Sequence, residues 1–351
     1  MKIEIYSPTI RRKEMDAVLT AMVEEKIGPG DRNRLLIQTA KEHLHYEYAL
    51  ALRSSAFALH FALKALDVKQ GQAVVISALS PRYYLQVLND LHITPVYCDV
   101  TYDFPCMNKE LIENAIAKKC AGLEVAAVIL HHTLGFMPDT AGIIELGFPI
   151  IEDISQSYGS WIKPSEKTGD NKKGESSFSQ FTILGLEERD MLTSGGGALL
   201  FATNKKDASV LRSFTGIADE YCLTDINSAL AIVQFKEMSH NLKKRYDIAE
   251  IFIQASMRTR HKRFIPKSDD YYCYYSFSLV LETGLKDVIA YAKKKDIILE
   301  NAFGNTIAGS GIIENCPVSN SLCLRTVLFP LYPRLRSKDV ERISRLIMTL
   351  P

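Results

Sequence analysis

The sequence predicts an α/β protein, with a large domain built on a mostly parallel sheet and a smaller α+β domain after it. Three observations lead there. Between about residues 50 and 205, short runs rich in β-formers alternate with helix-length amphipathic stretches, the pattern of βαβ units. Beyond a long helical stretch the character changes to one strand and two separated helices, which points to a second, smaller unit. The chain has 351 residues, 47% hydrophobic and 24% charged, enough for a sizeable core and far from a disordered or fibrous composition.

The elements follow in order. Residues 1–48 read as two helices, 11–26 and 32–45, split by the breaker Gly28-Pro29-Gly30, and this segment is expected to pack with the small domain. Residues 49–235 form the large domain. Its buried strands are expected at 73–77 (AVVIS), 95–99 (PVYCD), 125–130 (VAAVIL), 149–153 (PIIED) and 198–202 (ALLFA). Amphipathic helices are expected between them at 56–66, 83–91, 109–118 and 140–146. The polar, turn-rich stretch 163–174 reads as an exposed loop. A long helix from Thr224 to about Met257 carries Ile226, Leu230, Val233 and Met238 at helical spacing, and it connects to the small domain within 236–351. There, 271–281 reads as a strand, 285–294 as a helix and 339–348 as a terminal amphipathic helix.

Charge and cysteine usage exclude several classes. Lys+Arg number 42 against Asp+Glu 41, so no basic footprint for nucleic acid exists. No apolar run reaches the eighteen or so residues a membrane span needs, and MKIEIYSPTI lacks the apolar stretch of a signal peptide. Seven cysteines without a C-x-x-C pair read as buried thiols in a reducing compartment, so a cytoplasmic protein is expected.

A chain of motifs carries a resemblance over nearly the whole length. They run IYSPTIRRKEMDAVLTAM, GPG, SSAFALHFALKAL, TPVYCDV, HHTLGFMPD, PIIEDISQSYGS, SGGGALLFATN, TDINSALAIVQFKEM and FPLYPRLRSKDVERISRLI. In this order the sequence resembles the DegT/DnrJ/StrS-type sugar aminotransferases, pyridoxal-phosphate (PLP) enzymes of fold type I, the aspartate-aminotransferase fold. The resemblance implies PLP as cofactor, a nucleotide sugar of surface-polysaccharide biosynthesis as ligand, and a homodimer with its cleft between subunits. It assigns Asp153, at the carboxyl end of an expected buried strand, to the pyridine nitrogen, Gln156 to the ring hydroxyl region and His132 to the cleft. On sequence alone Asp153 also reads as a helix N-cap. The resemblance further implies a phosphate contact from Ser179 and a phosphate seat at the start of the first crossover helix.

The sequence departs from that pattern where the chemistry is done. Transamination needs a lysine for the Schiff base, and none lies between Lys173 and Lys205. Alignment from the glycines Gly195–Gly197 puts Arg189 at the lysine position; alignment from Phe178-Ser179 puts Leu184 or Gly185 there. An arginine is always protonated and a poor nucleophile. The stretch holds no histidine either, so the histidine-using dehydratase branch is not matched. The family's Gly-Thr of the phosphate seat is Ser55-Ala56, preceded by Ser54, and the cross-subunit Asn and Arg positions match Glu220 and Cys222. PLP binding is therefore expected to be impaired. The pair His131-His132 is poorly spaced for one metal, so no metal site is expected. Tyr83-Tyr84 are expected to pack in the core, and Ser194–Gly197 to form a tight turn.

Three functions compete on this reading. The first is a homologue that no longer transaminates and keeps a binding, regulatory or vestigial role. The others are an active PLP-dependent sugar aminotransferase and a lysine-independent enzyme acting on a nucleotide sugar. Joint loss of the lysine and parts of the phosphate seat favours the first.

Overall fold

The computed structural model describes residues 2–119, 122–161, 179–214, 216–266 and 271–351. The expected loop at 163–174 lies outside these residues. The strands are β1 (Tyr48–Leu52), β2 (Ala73–Ser77), β3 (Thr94–Cys98), β4 (Val125–His131), β5 (Ile150–Asp153), β6 (Phe181–Gly185), β7 (Ala198–Ala202), β8 (Phe277–Val280), β9 (Glu300–Asn301) and β10 (Thr326–Phe329). Among the described residues the first seven make one sheet in the order β1-β7-β6-β5-β4-β2-β3, and the last three make a second in the order β8-β10-β9. Strands β3, β2, β4, β5 and β6 run parallel, and β7 is antiparallel to both of its neighbours. This is the fold expected: a large, mostly parallel sheet and a small α+β unit.

The helices are α1 (Arg12–Val23), α2 (Asp31–Leu44), α3 (Ser55–Ala65), α4 (Tyr83–Asp90), α5 (Lys109–Lys119), α6 (Thr140–Ile144), α7 (Lys205–Ser213), α8 (Asp225–Ser256), α9 (Leu285–Lys293), α10 (Ile307–Ser310), α11 (Pro317–Arg325) and α12 (Ser337–Met348). Alternation along the strands sorts the core into layers. Val74 and Ile76 of β2 face Leu59, Leu63 and Leu88 of α3 and α4, whereas Val75 faces Ile112 of α5 and Ile143 of α6. Each such side chain, fully buried, contributes about 1.5–3 kcal/mol.

Two expectations are corrected here. The N-terminal segment does not pack mainly with the small domain: Leu36, Ala40 and Leu44 of α2 join Leu184, Leu199 and Phe235 in the large domain's core. The extended start reaches the small domain through Ile3 pairing with Ile297 and Arg334 donating to the Ile10 carbonyl, and α1 lies on α8, where Lys13 pairs with Glu237. The strand expected at 271–281 shortens to Phe277–Val280, with Tyr271 bridging to Trp161 instead. Strands β1, β6, β9 and β10 escaped the sequence reading. The run YALAL of β1 is rich in alanine, a weak β-former, and follows directly on a helical pattern.

Candidate functional site

In a parallel sheet the carboxyl ends of the strands open onto a crevice, and here β4, β5 and β6 deliver His131, Asp153 and Gly185 to the same edge. A cavity of about 310 Å³ lies over that edge, walled by Ser55, Tyr83, His131, Asp153, Glu187 and Asp190 among others. Segment 300–306 of the small domain closes its far side. There Pro81 pairs with Thr306, and Arg82 donates to the Gly304 carbonyl (2.5 Å).

Asp153 is buried at the floor, and its carboxylate is fully engaged. Tyr83 and Tyr84 both donate their hydroxyls to Oδ2, at 3.0 and 2.8 Å. Ser155 donates its N–H to Oδ1 at 3.0 Å and its hydroxyl to the same oxygen. The four lone-pair directions of a carboxylate are thereby taken. His131 Nδ1 stands 3.6 Å from Oδ2, within ion-pair range. Burial alone would push the Asp153 carboxyl up, but His131 and the Ser155 donors outweigh it and hold it well below the usual carboxylate range. The same burial, with the Asp153 charge, keeps the Tyr83 and Tyr84 phenols protonated far above their ordinary range.

Strand β6 ends at Gly185, whose N–H donates to Ser155 Oγ (2.7 Å). A Cβ at this position would collide with Asp190 Oδ2 and approach Ser155 Oγ to 2.7 Å and Ser55 Oγ to 2.9 Å. Asp190 is held there by the Glu187 N–H, at 2.9 Å from Oδ2. Burial, and then the charge of Asp153, push the Asp190 carboxyl well above the usual carboxylate range. Two neighbouring carboxyls with opposite shifts give one proton donor and one anion.

Glu187 leaves the same turn towards the start of α3. Burial pushes the Glu187 carboxyl up, and the nearby backbone N–H groups of Ser55 and Gly197 partly offset that. Arg189 also lines the cavity, tied bidentately to Glu300 of the small domain at 2.6 and 3.3 Å.

The residues named from sequence divide. Asp153, Gln156, Ser55 and Arg189 line the cavity, and Gly185 meets its wall. Gln156 accepts the Leu134 N–H at 2.7 Å, which fixes its amide. Ser54 caps α3 instead, accepting the Phe57 N–H at 3.2 Å, and Ala56 packs on the core.

Three assignments are corrected. Ser179 precedes the amino end of β6, bonded to Thr182 Oγ1 at 3.2 Å, six positions before Gly185 and so about 15–20 Å from the cavity edge. His132 points away from the cavity, with Nδ1 2.7 Å from Ser157 Oγ and Nε2 3.4 Å from Glu152 Oε1; the pleat turns its neighbour His131 inward instead. Tyr84 is core as expected, but Tyr83 is a wall of the cavity. Glu220 sits exposed in the turn before Cys222, whose carbonyl accepts from Arg53 Nε at 3.2 Å. Glu187 and Asp190 were missed. Recognition of Phe181–Gly185 as a buried strand would have found them, because the charged run Glu187-Glu188-Arg189-Asp190 directly follows its carboxyl end.

These residues do not fit PLP. Among the described residues no lysine lines the cavity, and no acceptor site on Asp153 remains for a pyridinium N–H.

The model of the DegT/DnrJ/EryC1/StrS aminotransferase family matches residues 8–348. Solved structures agree in fold. Spr1654 of Streptococcus pneumoniae, assigned as a sugar aminotransferase and solved in its PLP form, superposes with a TM-score of 0.87 at 18% identity, covering 99% of this chain and 98% of that one. The aminotransferase TlmJ of Streptoalloteichus hindustanus gives 0.85 at 19% identity over 99% and 98% of the two chains. A DegT/DnrJ/EryC1/StrS aminotransferase of Brucella abortus gives 0.84 at 22% identity over 95% and 94%. The chain belongs to the DegT/DnrJ/EryC1/StrS aminotransferase family.

Proposed function

We propose that this member of an aminotransferase family has lost transamination and serves as a binding or regulatory protein for a nucleotide sugar in surface-polysaccharide biosynthesis. One observation carries the reading: among the described residues no lysine lines the cavity, and Asp190 fills the side-chain space of Gly185. Without an amine there, the chemistry that PLP supplies has no covalent anchor and no base to move the proton between carbons. Saturation of Asp153 by two tyrosines and a serine supports the same conclusion. The cavity retains hydrogen-bonding groups suited to a polyol: Gln156, Asn301, Asn305 and Thr306.

A homodimer is part of this proposal. Helix α1 exposes Met15, Leu19, Met22 and Val23 on one face, between 55 and 76% accessible, with Ile27 and Leu35 beside them. Such a stripe suits an isologous contact with a second copy. A cytoplasmic location is proposed from the cysteine usage: none of the six described cysteines is in a disulfide, and five are buried. No helix among the described residues is long and apolar enough to cross a membrane.

The test is treatment of the protein with PLP and borohydride, followed by peptide mass mapping. No stoichiometric pyridoxyl-lysine is expected. One such adduct at a defined lysine would reinstate an active aminotransferase. Turnover of a nucleotide sugar without an adduct would establish lysine-independent catalysis instead.

A further inference from the structure

We infer that a second cavity, between the end of α8 and the start of β10, is a binding site for a phosphate-bearing anion. It measures about 460 Å³, within the range of small-molecule sites, and shares no wall residue with the cavity over the sheet. Three segments bring its charges together. Lys262 and Arg263 follow α8, where Lys262 pairs its backbone with Val280 of β8 in both directions, at 3.0 and 2.8 Å. Arg325 ends α11 and leads into β10, whose Thr326 stands opposite the same Val280. The loop after β3 supplies Tyr102 and Asp103.

Lys262, Arg263 and Arg325 face one carboxylate, Asp103, among the described wall residues. No hydrogen bond or ion pair among the described residues engages the side-chain nitrogens of these three cations. Arg325 Nε is shielded from solvent and has no acceptor, a state that buried donors rarely occupy. Burial holds the Arg263 guanidinium below its ordinary range, and Tyr274 and Glu250 only partly offset it. His261, buried in the same wall, adds a neutral donor. Its Nδ1 accepts the Glu282 N–H at 3.3 Å, which leaves the hydrogen on Nε2. Nε2 has no partner, and the nearby Pro351 carbonyl accepts from Thr283 Oγ1 at 3.3 Å instead. Besides Asp103, the carbonyl end of α8 opposes an anion, but it is covered: the Ser256 carbonyl accepts both the N–H (3.0 Å) and the hydroxyl (2.8 Å) of Thr259. A phosphate group supplies both what the unpaired donors lack, an acceptor, and what the cations lack, a counter-charge.

The test is calorimetry on the full chain at low salt with three probes: pyrophosphate, uridine diphosphate and uridine. The two phosphate-bearing probes are expected to bind, more weakly as salt rises, and uridine is not. A diphosphate nucleotide bound more tightly than pyrophosphate, with the gain lost in Tyr102→Ala, identifies the ligand as a nucleotide. Equal binding identifies a free phosphate compound, and both outcomes uphold the site. Arg325→Gln should weaken pyrophosphate at least about tenfold, and Lys262→Gln, at an exposed side chain, about two- to fivefold. Asp103→Asn should tighten it about twofold or more, a gain that a disturbed fold does not produce. No binding of pyrophosphate at about 1 mM, or affinities unchanged in both Lys262→Gln and Asp103→Asn, would overturn the inference. Binding of uridine diphosphate that is indifferent to all three charge variants would belong to the cavity over the sheet, and would overturn it equally. The loss of transamination stands or falls separately, on the borohydride experiment.

Discussion

Alanine at position 185 tests whether the wall of the cavity is as tightly packed as the geometry indicates. Gly185 is not among the positive-φ glycines, so an L-residue fits its backbone, and by chain entropy alone alanine would stabilise by about 0.4–1 kcal/mol. The side-chain space is the obstacle. The new Cβ would stand 2.7 Å from Ser155 Oγ and 2.9 Å from Ser55 Oγ, and closer still to Asp190 Oδ2. Ser155 Oγ is committed to Asp153, and Asp190 accepts the Glu187 N–H, so neither moves without losing a bond. Overpacking of this kind costs about 1–3 kcal/mol. Displacing Asp190 from its donor adds about 1 kcal/mol. The expected net loss for Gly185→Ala is about 2 kcal/mol, read from urea denaturation at fixed protomer concentration with an unchanged m-value. The double variant Gly185→Ala with Asp190→Ala should recover about 1–2 kcal/mol relative to additivity, since the colliding carboxyl is gone. A Gly185→Ala protein within about 0.5 kcal/mol of the parent, or a cycle that is strictly additive, would refute the packing argument.

Three further outcomes are expected. Asp190 holds its proton in the folded state above the pH at which it ionises when unfolded, so the folded state binds more protons and stability declines as pH rises from the ordinary carboxylate range towards the raised value; Asp190→Asn should flatten that decline in urea midpoints, and an unchanged slope would contradict the assignment. Among lysine replacements, Glu187→Lys should give a pyridoxyl-lysine on PLP and borohydride treatment, whereas Arg189→Lys, directed at Glu300, and Gly185→Lys, walled by Asp190, should not; capture by Arg189→Lys alone would place the cavity's reach elsewhere. Light scattering should give about twice the monomer mass of 39.4 kDa, and Leu19→Glu, in the middle of the exposed α1 stripe, should shift the protein towards monomer; a monomeric parent would remove the dimer.

What was legible in the sequence was local. Residues 73–77, 125–130 and 198–202 read as strands because a sheet covered on both faces demands unbroken apolar runs, and the βαβ alternation around them implied the sheet. Asp153 was legible for the same reason: a carboxylate ending such a run must face the crevice, and it does. The absence of lysine between Lys173 and Lys205 needed no structure at all. The serine and histidine assignments failed by direction rather than by residue type. Ser179 lies at the wrong end of β6, and His132 lies one step along the pleat from the residue that faces inward. Motif spacing carries neither the start of a missed strand nor the phase of its alternation.

Only the tertiary structure decided what fills the cavity. Ser55, Tyr83, Asp153, Glu187 and Asp190 come from four separate segments of the chain, and they meet because β5 and β6 are neighbours and α3 and α4 pack over the same edge. The sequence by itself determined an α/β chain with no lysine between Lys173 and Lys205. That Tyr83 and Tyr84 occupy the Asp153 carboxylate, and that Arg189 turns to Glu300, depends on distances between residues far apart in the chain. Hydrogen bonds and van der Waals contact act over a few ångströms, so which neighbours share them is a property of packing, which periodicity along the chain does not encode.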